Sequence, residues 1–228
     1  HAPNPTSSLS VFPFLPLDYI KMDFDRNSLC NYDAVIFSAG NDVRQFPTDG
    51  DDNWYDVVNS IGIPTFFSEL KKIGVPLVIN ISSYYPHVMP ELIKSNAYVR
   101  SRKNAEDGVT ALADKSFHVN NISAPFVVGV PDGVVVNMFE SYVRYAEGAF
   151  ISMPEFLPVG GTNFVSTRTV AEAVEGALNN GVNGKTYLIG DQNLTFAEYF
   201  GLFFDAVGRP RPSRASAPRQ DLGNAGSP

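Results

Sequence analysis

Apolar residues occur along this chain in two alternating patterns. Short runs at 33–40, 75–83 and 117–125 predict strands. The run at 75–83 shows no alternation of apolar and polar positions, which is the pattern of a strand covered on both faces of a parallel sheet. The segment 54–73 repeats apolar residues close to the helical period, and a second helix is predicted at 97–113. Strands that alternate with helices in this way indicate βαβ units and therefore a parallel sheet.

Further residues indicate an additional strand, a loop and the ends of the predicted helix over 54–73. A further β-rich run is predicted at 18–24, and 48–53 is a turn-rich acidic loop. Pro64 is expected to kink the helix over 54–73 or to begin part of it. Gly74 offers that helix a C-cap.

The C-terminal part of the chain continues the alternation. A strand is predicted at 185–190. Two helices that open with a capping box, a threonine followed three residues later by a glutamate, are predicted at 167–181 (Thr169 and Glu172) and at 194–208 (Thr195 and Glu198).

Composition narrows the function classes. The 228 residues are 44% hydrophobic and 18% charged, which is enough apolar material for a sizeable core. The formal net charge of -7 argues against binding to a phosphate backbone, so no nucleic-acid partner is expected. A single cysteine, Cys30, and three scattered histidines predict neither a disulfide nor a metal site. No apolar run reaches the roughly 18 residues of a membrane span, so we expect a cytoplasmic protein with no membrane partner.

The segment "SNAYVRSRKNAED" carries the candidate chemistry. Tyr98 precedes Arg102 by four residues, so both lie on one face of the predicted helix, and Ser83, or alternatively Ser82, ends the strand before it. Reduction of a carbonyl requires a proton for the developing alkoxide, and a nearby cation makes a phenol easier to ionise. A serine hydroxyl can hold the substrate oxygen by a hydrogen bond. The same tyrosine and arginine spacing also occurs on helices that have no catalytic role.

The order of these features resembles the short-chain dehydrogenase/reductase superfamily, in its extended or atypical, NAD-dependent epimerase/dehydratase-like branch. The resemblance rests on "SSYY" (82–85), on the helix with Tyr98 and Arg102, and on "APFVVGVPDG" (124–133), and it covers about 18–208. It implies an α/β fold, a Rossmann-like doubly wound parallel sheet with a small C-terminal substrate lobe.

Two features depart from the family pattern. Arg102 stands where the family has a lysine, and Lys103 is turned about 100° away around the helix. The family's Gly-x-x-Gly-x-x-Gly turn, which brings the backbone to a pyrophosphate, is absent from the sequence. The N-terminal βαβ portion is therefore expected to be missing or truncated. His1 cannot be an initiator, which predicts a processed product, an expressed piece or a fragment.

The resemblance also implies roles for individual residues. The catalytic group would consist of Tyr98 as proton donor, Ser83, Arg102 and Asn59. The cofactor, NAD or NADP, would be held by Asp23 and Phe24 of "MDFD" at the adenine, by Ser38, Ala39 and Gly40 of "FSAGND" under the ribose, by Tyr98 and Arg102, and by Pro125, Phe126 and Val127 over the nicotinamide.

Residues 1–135 would form a nucleotide-binding domain that lacks its first βαβ portion. Residues 136–228 would form a substrate-binding lobe with a returning strand at 185–190. The resemblance implies a small-molecule substrate and allows a homodimer.

Three functions stay open: an NAD(P)-dependent oxidoreductase, a nucleotide-sugar epimerase or dehydratase, and a non-catalytic NAD(P)-sensing protein. The apolar C-terminal lobe, with only Arg144 and Arg168 as candidate diphosphate ligands, favours the first over the second.

Overall fold

The computed structural model of this protein describes residues 8–130, 133–152 and 154–213. They form two compact units. The first unit contains 15–125 and 168–189, and the second unit contains the described residues of 8–14, 126–167 and 190–213.

The elements follow one another in the order that a βαβ protein requires. The strands are β1 (Ala34–Phe37), β2 (Leu77–Ser83), β3 (His118–Ala124), β4 (Phe126–Val128), β5 (Gly161–Ser166), β6 (Lys185–Leu188) and β7 (Gln192–Thr195). The α-helices are α1 (Arg26–Leu29), α2 (Asn53–Tyr55), α3 (Gly62–Ile73), α4 (Tyr85–Val88), α5 (Leu92–Ser95), α6 (Ala97–Thr110), α7 (Asn137–Ala146), α8 (Thr167–Asn180) and α9 (Phe196–Ala206). Short 3-10 turns lie at Ser8–Val11 and Val43–Gln45, and a π-helical segment lies at Asp56–Ile61.

The first unit is built on a four-stranded parallel sheet in the order β1-β2-β3-β6. Side chains of neighbouring residues on β2 point to opposite faces of this sheet. Val78 packs in a buried cluster with Phe67 of α3, whereas Ile79 packs in a separate cluster with Ile122 and with Ala177 of α8. Helices therefore cover both faces, and the predicted Rossmann-like, doubly wound parallel sheet is confirmed.

The helix predicted over 54–73 consists of three consecutive segments: α2, the π-helical segment and α3. Pro64 is the third residue of α3, directly after the π-helical segment, and because it has no N–H it cannot donate to a carbonyl of the preceding helical turn. Gly74 ends α3 with φ 97°, a left-handed conformation that suits glycine, so the predicted C-cap is confirmed.

The strand predicted at 18–24 is wrong, because these residues form a turn. The backbone groups of Asp18 and Asp23 bond to each other as one isolated antiparallel bridge. The Asp18 carboxylate accepts a hydrogen bond from the Ile20 N–H at 3.0 Å, and Met22 has φ 56°. A local side-chain bond of this kind competes with strand formation.

Of the two predicted capping boxes, only one is formed. Helix α8 begins at Thr167, so Thr169 lies inside its first turn and is not a cap. The Thr195 hydroxyl accepts the Glu198 N–H at 3.1 Å, and the Glu198 carboxylate accepts the Thr195 N–H at 2.8 Å. Helix α9 starts at Phe196, two residues later than predicted, because β7 precedes it.

The second unit contains a small sheet that the sequence did not predict. Strands β4 and β5 are parallel, and β5 and β7 are antiparallel. Aromatic residues of α9 fill its core: the rings of Phe164 and Tyr199 stack with centroids 4.3 Å apart, and Phe204 is fully buried.

Within the described ranges, no helix is both long enough and apolar enough to cross a bilayer. The same ranges contain no group of three or more histidine, cysteine, aspartate or glutamate side chains placed to hold a metal ion.

Candidate active site

Helix α6 positions two of the predicted catalytic residues in its first two turns. Asn96 caps the helix, because its side-chain oxygen accepts the Val99 N–H at 3.0 Å. Tyr98 follows in the first turn and is half-buried, with its ring centroid 5.7 Å from that of Tyr55. Burial raises the pKa of Tyr55 to about 12.

Arg102 is buried between α6 and the sheet. It is 6% exposed, and its Nη2 donates to the Ile81 carbonyl at 2.8 Å. A Cβ on Gly40 would lie 1.7 Å from Nη1 of Arg102, so only glycine leaves room for the guanidinium there. The Arg102 Nε is buried without a hydrogen-bond partner. The structure thus brings together Arg102, Gly40 and the end of β2.

The two candidate serines end β2 and are both 5% exposed. The Oγ of Ser83 accepts the Tyr85 N–H at 3.4 Å, which is long for such a bond. The Oγ of Ser82 is buried and has no partner. Ser82 therefore offers an unused hydrogen-bonding group, and Ser83 offers one that is only weakly engaged.

Asn59 lies in the π-helical segment, is fully buried and is completely hydrogen-bonded. Its Oδ1 accepts the Asn41 N–H at 3.0 Å, and its Nδ2 donates to the Asn41 carbonyl at 2.9 Å and to the Ser101 Oγ at 3.1 Å. The Ser101 hydroxyl donates in turn to the carbonyl of Tyr98 at 2.8 Å. Asn59 therefore links the loop after β1 to the turn of α6 that carries Tyr98 and Arg102. Such single-turn π segments are frequent at functional sites.

Tyr19 extends this network, and sequence reasoning missed it. Its hydroxyl accepts a hydrogen bond from Nδ2 of Asn41 at 2.7 Å and donates to the Val58 carbonyl at 3.0 Å. Burial raises the pKa of Tyr19 above its ordinary value. Sequence reasoning also missed Ser101 and Asn41. For Ser101 there was one signal, because it is a polar residue in the helical turn between Tyr98 and Arg102.

Asp23 and Phe24 line a cavity of about 410 Å³ in the first unit. Phe24 stands edge-on to Phe66, with ring centroids 5.4 Å apart. The remaining wall consists of four apolar residues, two acidic residues and one serine: Leu15, Pro16, Leu17, Leu29, Asp18, Asp25 and Ser28. Apolar walls with carboxylate acceptors suit a flat ring that carries an amino group.

The other predicted cofactor contacts are spread over both units. Ser38 and Ala39 are exposed directly after β1, and Pro125 is buried directly after β3. Phe126 begins β4 in the second unit, where its ring lies 5.2 Å from that of Phe164. Val127 is exposed.

Known proteins resemble this chain mainly in their folds. No family model matches the chain. It is similar to sterol demethylase protein B of Methylococcus capsulatus, with 25% identity over 183 residues that cover 75% of this chain and 55% of that protein. The chain therefore spans about half the length of this curated relative.

Three solved structures are representative of the structural likeness. The crystal structure of gox2253 has a TM-score of 0.70 and 20% identity, covering 86% of this chain and 62% of that one. The dTDP-glucose 4,6-dehydratase DesIV of Streptomyces venezuelae, with NAD bound, has a TM-score of 0.61 and 16% identity, covering 87% and 66%. RMD of Pseudomonas aeruginosa, complexed with NADPH, has a TM-score of 0.63 and 21% identity, covering 88% and 75%. These likenesses, each at 21% identity or less, show that the chain has a Rossmann-like α/β fold, which it shares with proteins crystallised with NAD and with NADPH.

Proposed function

We propose that this protein is an NAD(P)-dependent oxidoreductase that transfers a hydride to or from the carbonyl or alcohol of a small molecule. The observation that carries the proposal is the position of Arg102. Its buried guanidinium is bonded to the Ile81 carbonyl, one residue before the two serines, and it lies on the same helix as Tyr98. A phenol, a cation and a serine hydroxyl are the groups that carbonyl reduction needs.

Each residue has a distinct proposed task. Tyr98 gives a proton to the substrate oxygen during reduction and takes it back during oxidation. Ser83, or Ser82 in its place, holds that oxygen by a hydrogen bond. Arg102 supplies the positive field next to the phenol. When bound, the nicotinamide cofactor would supply or accept the hydride.

The residues present fit the adenine and ribose parts of such a cofactor. The unpartnered Nε of Arg102 and Oγ of Ser82 are buried polar groups that a ribose hydroxyl could satisfy. The cavity beside Asp23 and Phe24 has the acceptors and apolar walls that suit adenine. The sequence contains no glycine-rich turn of the family's kind for the pyrophosphate, so the proposed contacts cover only these two parts.

The second unit, taken by itself, contains an apolar groove. This groove has a volume of about 480 Å³ and is lined by Val130, Val134, Val135, Val136, Phe139, Val143, Glu140 and Arg144. One arginine beside one glutamate is a weak diphosphate site, because the carboxylate repels the ligand. The similarity to a protein named for sterol demethylation also favours an apolar alcohol or ketone.

A nucleotide-sugar epimerase or dehydratase is the second candidate, and the likeness to DesIV favours it. A panel assay separates the candidates: consumption of NADH and NADPH is followed with apolar ketones and aldehydes, beside conversion of nucleotide sugars. We expect turnover on the ketone panel. Turnover on nucleotide sugars alone would establish the second candidate. Tight cofactor binding without turnover on either panel would indicate the non-catalytic sensing protein.

A further inference from the structure

Glu106 is a buried carboxylate that the proposed chemistry does not use. It is 4% exposed and lies on α6, four residues after Arg102. Its carboxylate accepts hydrogen bonds from the Ser123 hydroxyl at 3.0 Å, from the Thr186 hydroxyl at 3.2 Å and from Nε2 of His87, which lies 3.0 Å from the nearer oxygen.

These partners come from three different elements. Ser123 belongs to β3, Thr186 to β6 and His87 to α4. A buried carboxylate is costly unless it is paired and hydrogen-bonded, so these contacts fix α6 against the sheet and against α4. Ser123 and Thr186 lie on strands of one sheet, whereas His87 lies on a short helix beyond the end of β2.

His87 therefore connects the segment after β2 to α6, in addition to the bond from Arg102 to the Ile81 carbonyl. It lies four residues after Ser83, in the segment that leaves β2, and its side chain is 24% exposed. The backbone of this segment is held locally by the bonds from the His87 N–H to the Tyr84 carbonyl at 2.9 Å and from the Met89 N–H to the Tyr85 carbonyl at 2.9 Å. The hydrogen bond from Nε2 of His87 to the Glu106 carboxylate also connects this segment to α6, the helix that carries Tyr98. This hydrogen bond is called the His87–Glu106 tie below.

We propose that His87 and Glu106 are positioning residues that hold the segment after Ser83 in a fixed relation to the helix of Tyr98 and Arg102. The expected effect on turnover rests on the proposed function, whereas the structural role of the His87–Glu106 hydrogen bond does not. A small displacement of catalytic groups can cost up to about a hundredfold in rate. Loss of the tie therefore lowers the rate of the chemical step more than it weakens cofactor binding.

Two substitutions at one position isolate the hydrogen bond. His87→Leu removes the N–H donor and replaces the imidazole by an apolar side chain of similar size. His87→Gln keeps an N–H donor near the position of Nε2. His118→Leu is the matched control, because His118 lies in the same unit, at the far end of β3, and has no contact with Glu106.

Two measurements are made on each variant: kcat and cofactor KM with a ketone from the panel, and amide hydrogen exchange at His87, Val88 and Met89. His87→Leu should lower kcat about tenfold, leave the cofactor KM unchanged and accelerate exchange at these amides. His87→Gln should restore both properties, and His118→Leu should resemble the wild type in both.

Each outcome tests either the positioning role of His87 or the proposed oxidoreductase function. If the wild type reduces the ketone and His87→Leu keeps its kcat, the positioning role is refuted while the proposed function stands. If the wild type shows no turnover on any panel, the proposed function fails, and the exchange data alone decide the tie. Faster exchange in His87→Leu that His87→Gln reverses supports the tie, and unchanged exchange refutes it.

Discussion

At the residue scale, Arg102 is the member of the candidate site on which the proposed function rests. Its guanidinium donates a hydrogen bond to the Ile81 carbonyl and occupies the space that a Cβ on residue 40 would need. Arg102→Lys is expected to keep or improve turnover, because a cation remains at the position where the pattern of the family that the sequence resembles has a lysine. Arg102→Ala should weaken cofactor affinity on the order of tenfold, the loss of one hydrogen bond to a charged group.

Lys103→Ala is the matched control for Arg102. Lys103 is bonded to Asp107 at the surface of α6, so its loss should change activity very little. Cofactor titration and pH–rate profiles measure all three variants. A silent Arg102→Ala together with a damaging Lys103→Ala would show that the face of α6 is assigned wrongly.

The spacing along one helix is the signal on which the pairing of Tyr98 with Arg102 rests, and their role stays a prediction. Tyr98 and Arg102 are four apart, so the helical period alone places them on one face. Asn41, Ser101 and Tyr19 could not be found in this way. Asn59 bonds to Ser101 across 42 positions of sequence, and only the packing of the π-helical segment against α6 brings them together.

At the element scale, an ion pair fastens the end of α3 to the loop before β3. Nζ of Lys71 lies 2.6 Å from Asp114, whose carboxylate also accepts the Ser116 N–H at 2.7 Å. The hydrogen bond from Lys71, followed by those from Ser116, holds the pKa of Asp114 well below its usual range. A carboxylate whose pKa is lowered by folding stabilises the protein above its unfolded pKa, about 3.9, and this contribution is lost as the pH falls from there toward the folded value.

Asp114→Asn is therefore expected to lower the melting temperature by a few degrees at pH 7. The difference from the wild type should shrink as the pH falls below about 4, because the unfolded wild-type chain then takes up a proton at Asp114 that the folded carboxylate does not yet bind. Thermal unfolding of both proteins over this pH range measures the effect. Asp107→Asn, which removes an exposed pair within one helix, serves as the control. A difference that does not change with pH would contradict the role of the ion pair.

The predictability of an element depended on what stabilises it. Strands β2 and β3 were predicted because both of their faces are buried, so apolar and polar positions do not alternate along them, although asparagines and serines are buried there too. Strand β7, with the sequence QNLT, has one large apolar residue, and its pairing with β5 defines it. The turn at Asp18 was misread for the converse reason, because a local side-chain bond overrode an apolar pattern.

At the scale of the whole molecule, the fold is confirmed and the biochemistry is proposed. The sheet order and the helices on both faces agree with the pattern of the sequence, and the structural likeness extends over more than four-fifths of the chain. The assignment of 1–135 to cofactor binding and 136–228 to substrate binding stays a prediction. So do the cytoplasmic location and the homodimer.

The most direct test of the central claim is the turnover of Tyr98→Phe measured beside the wild type, with NADH or NADPH and a ketone substrate from the panel. The substitution removes the proton and keeps the ring that packs against Tyr55. We expect turnover to fall on the order of 10² to 10⁴-fold while cofactor binding largely survives. Turnover by Tyr98→Phe at the wild-type rate would contradict the account, because the proton would then have to come from another group.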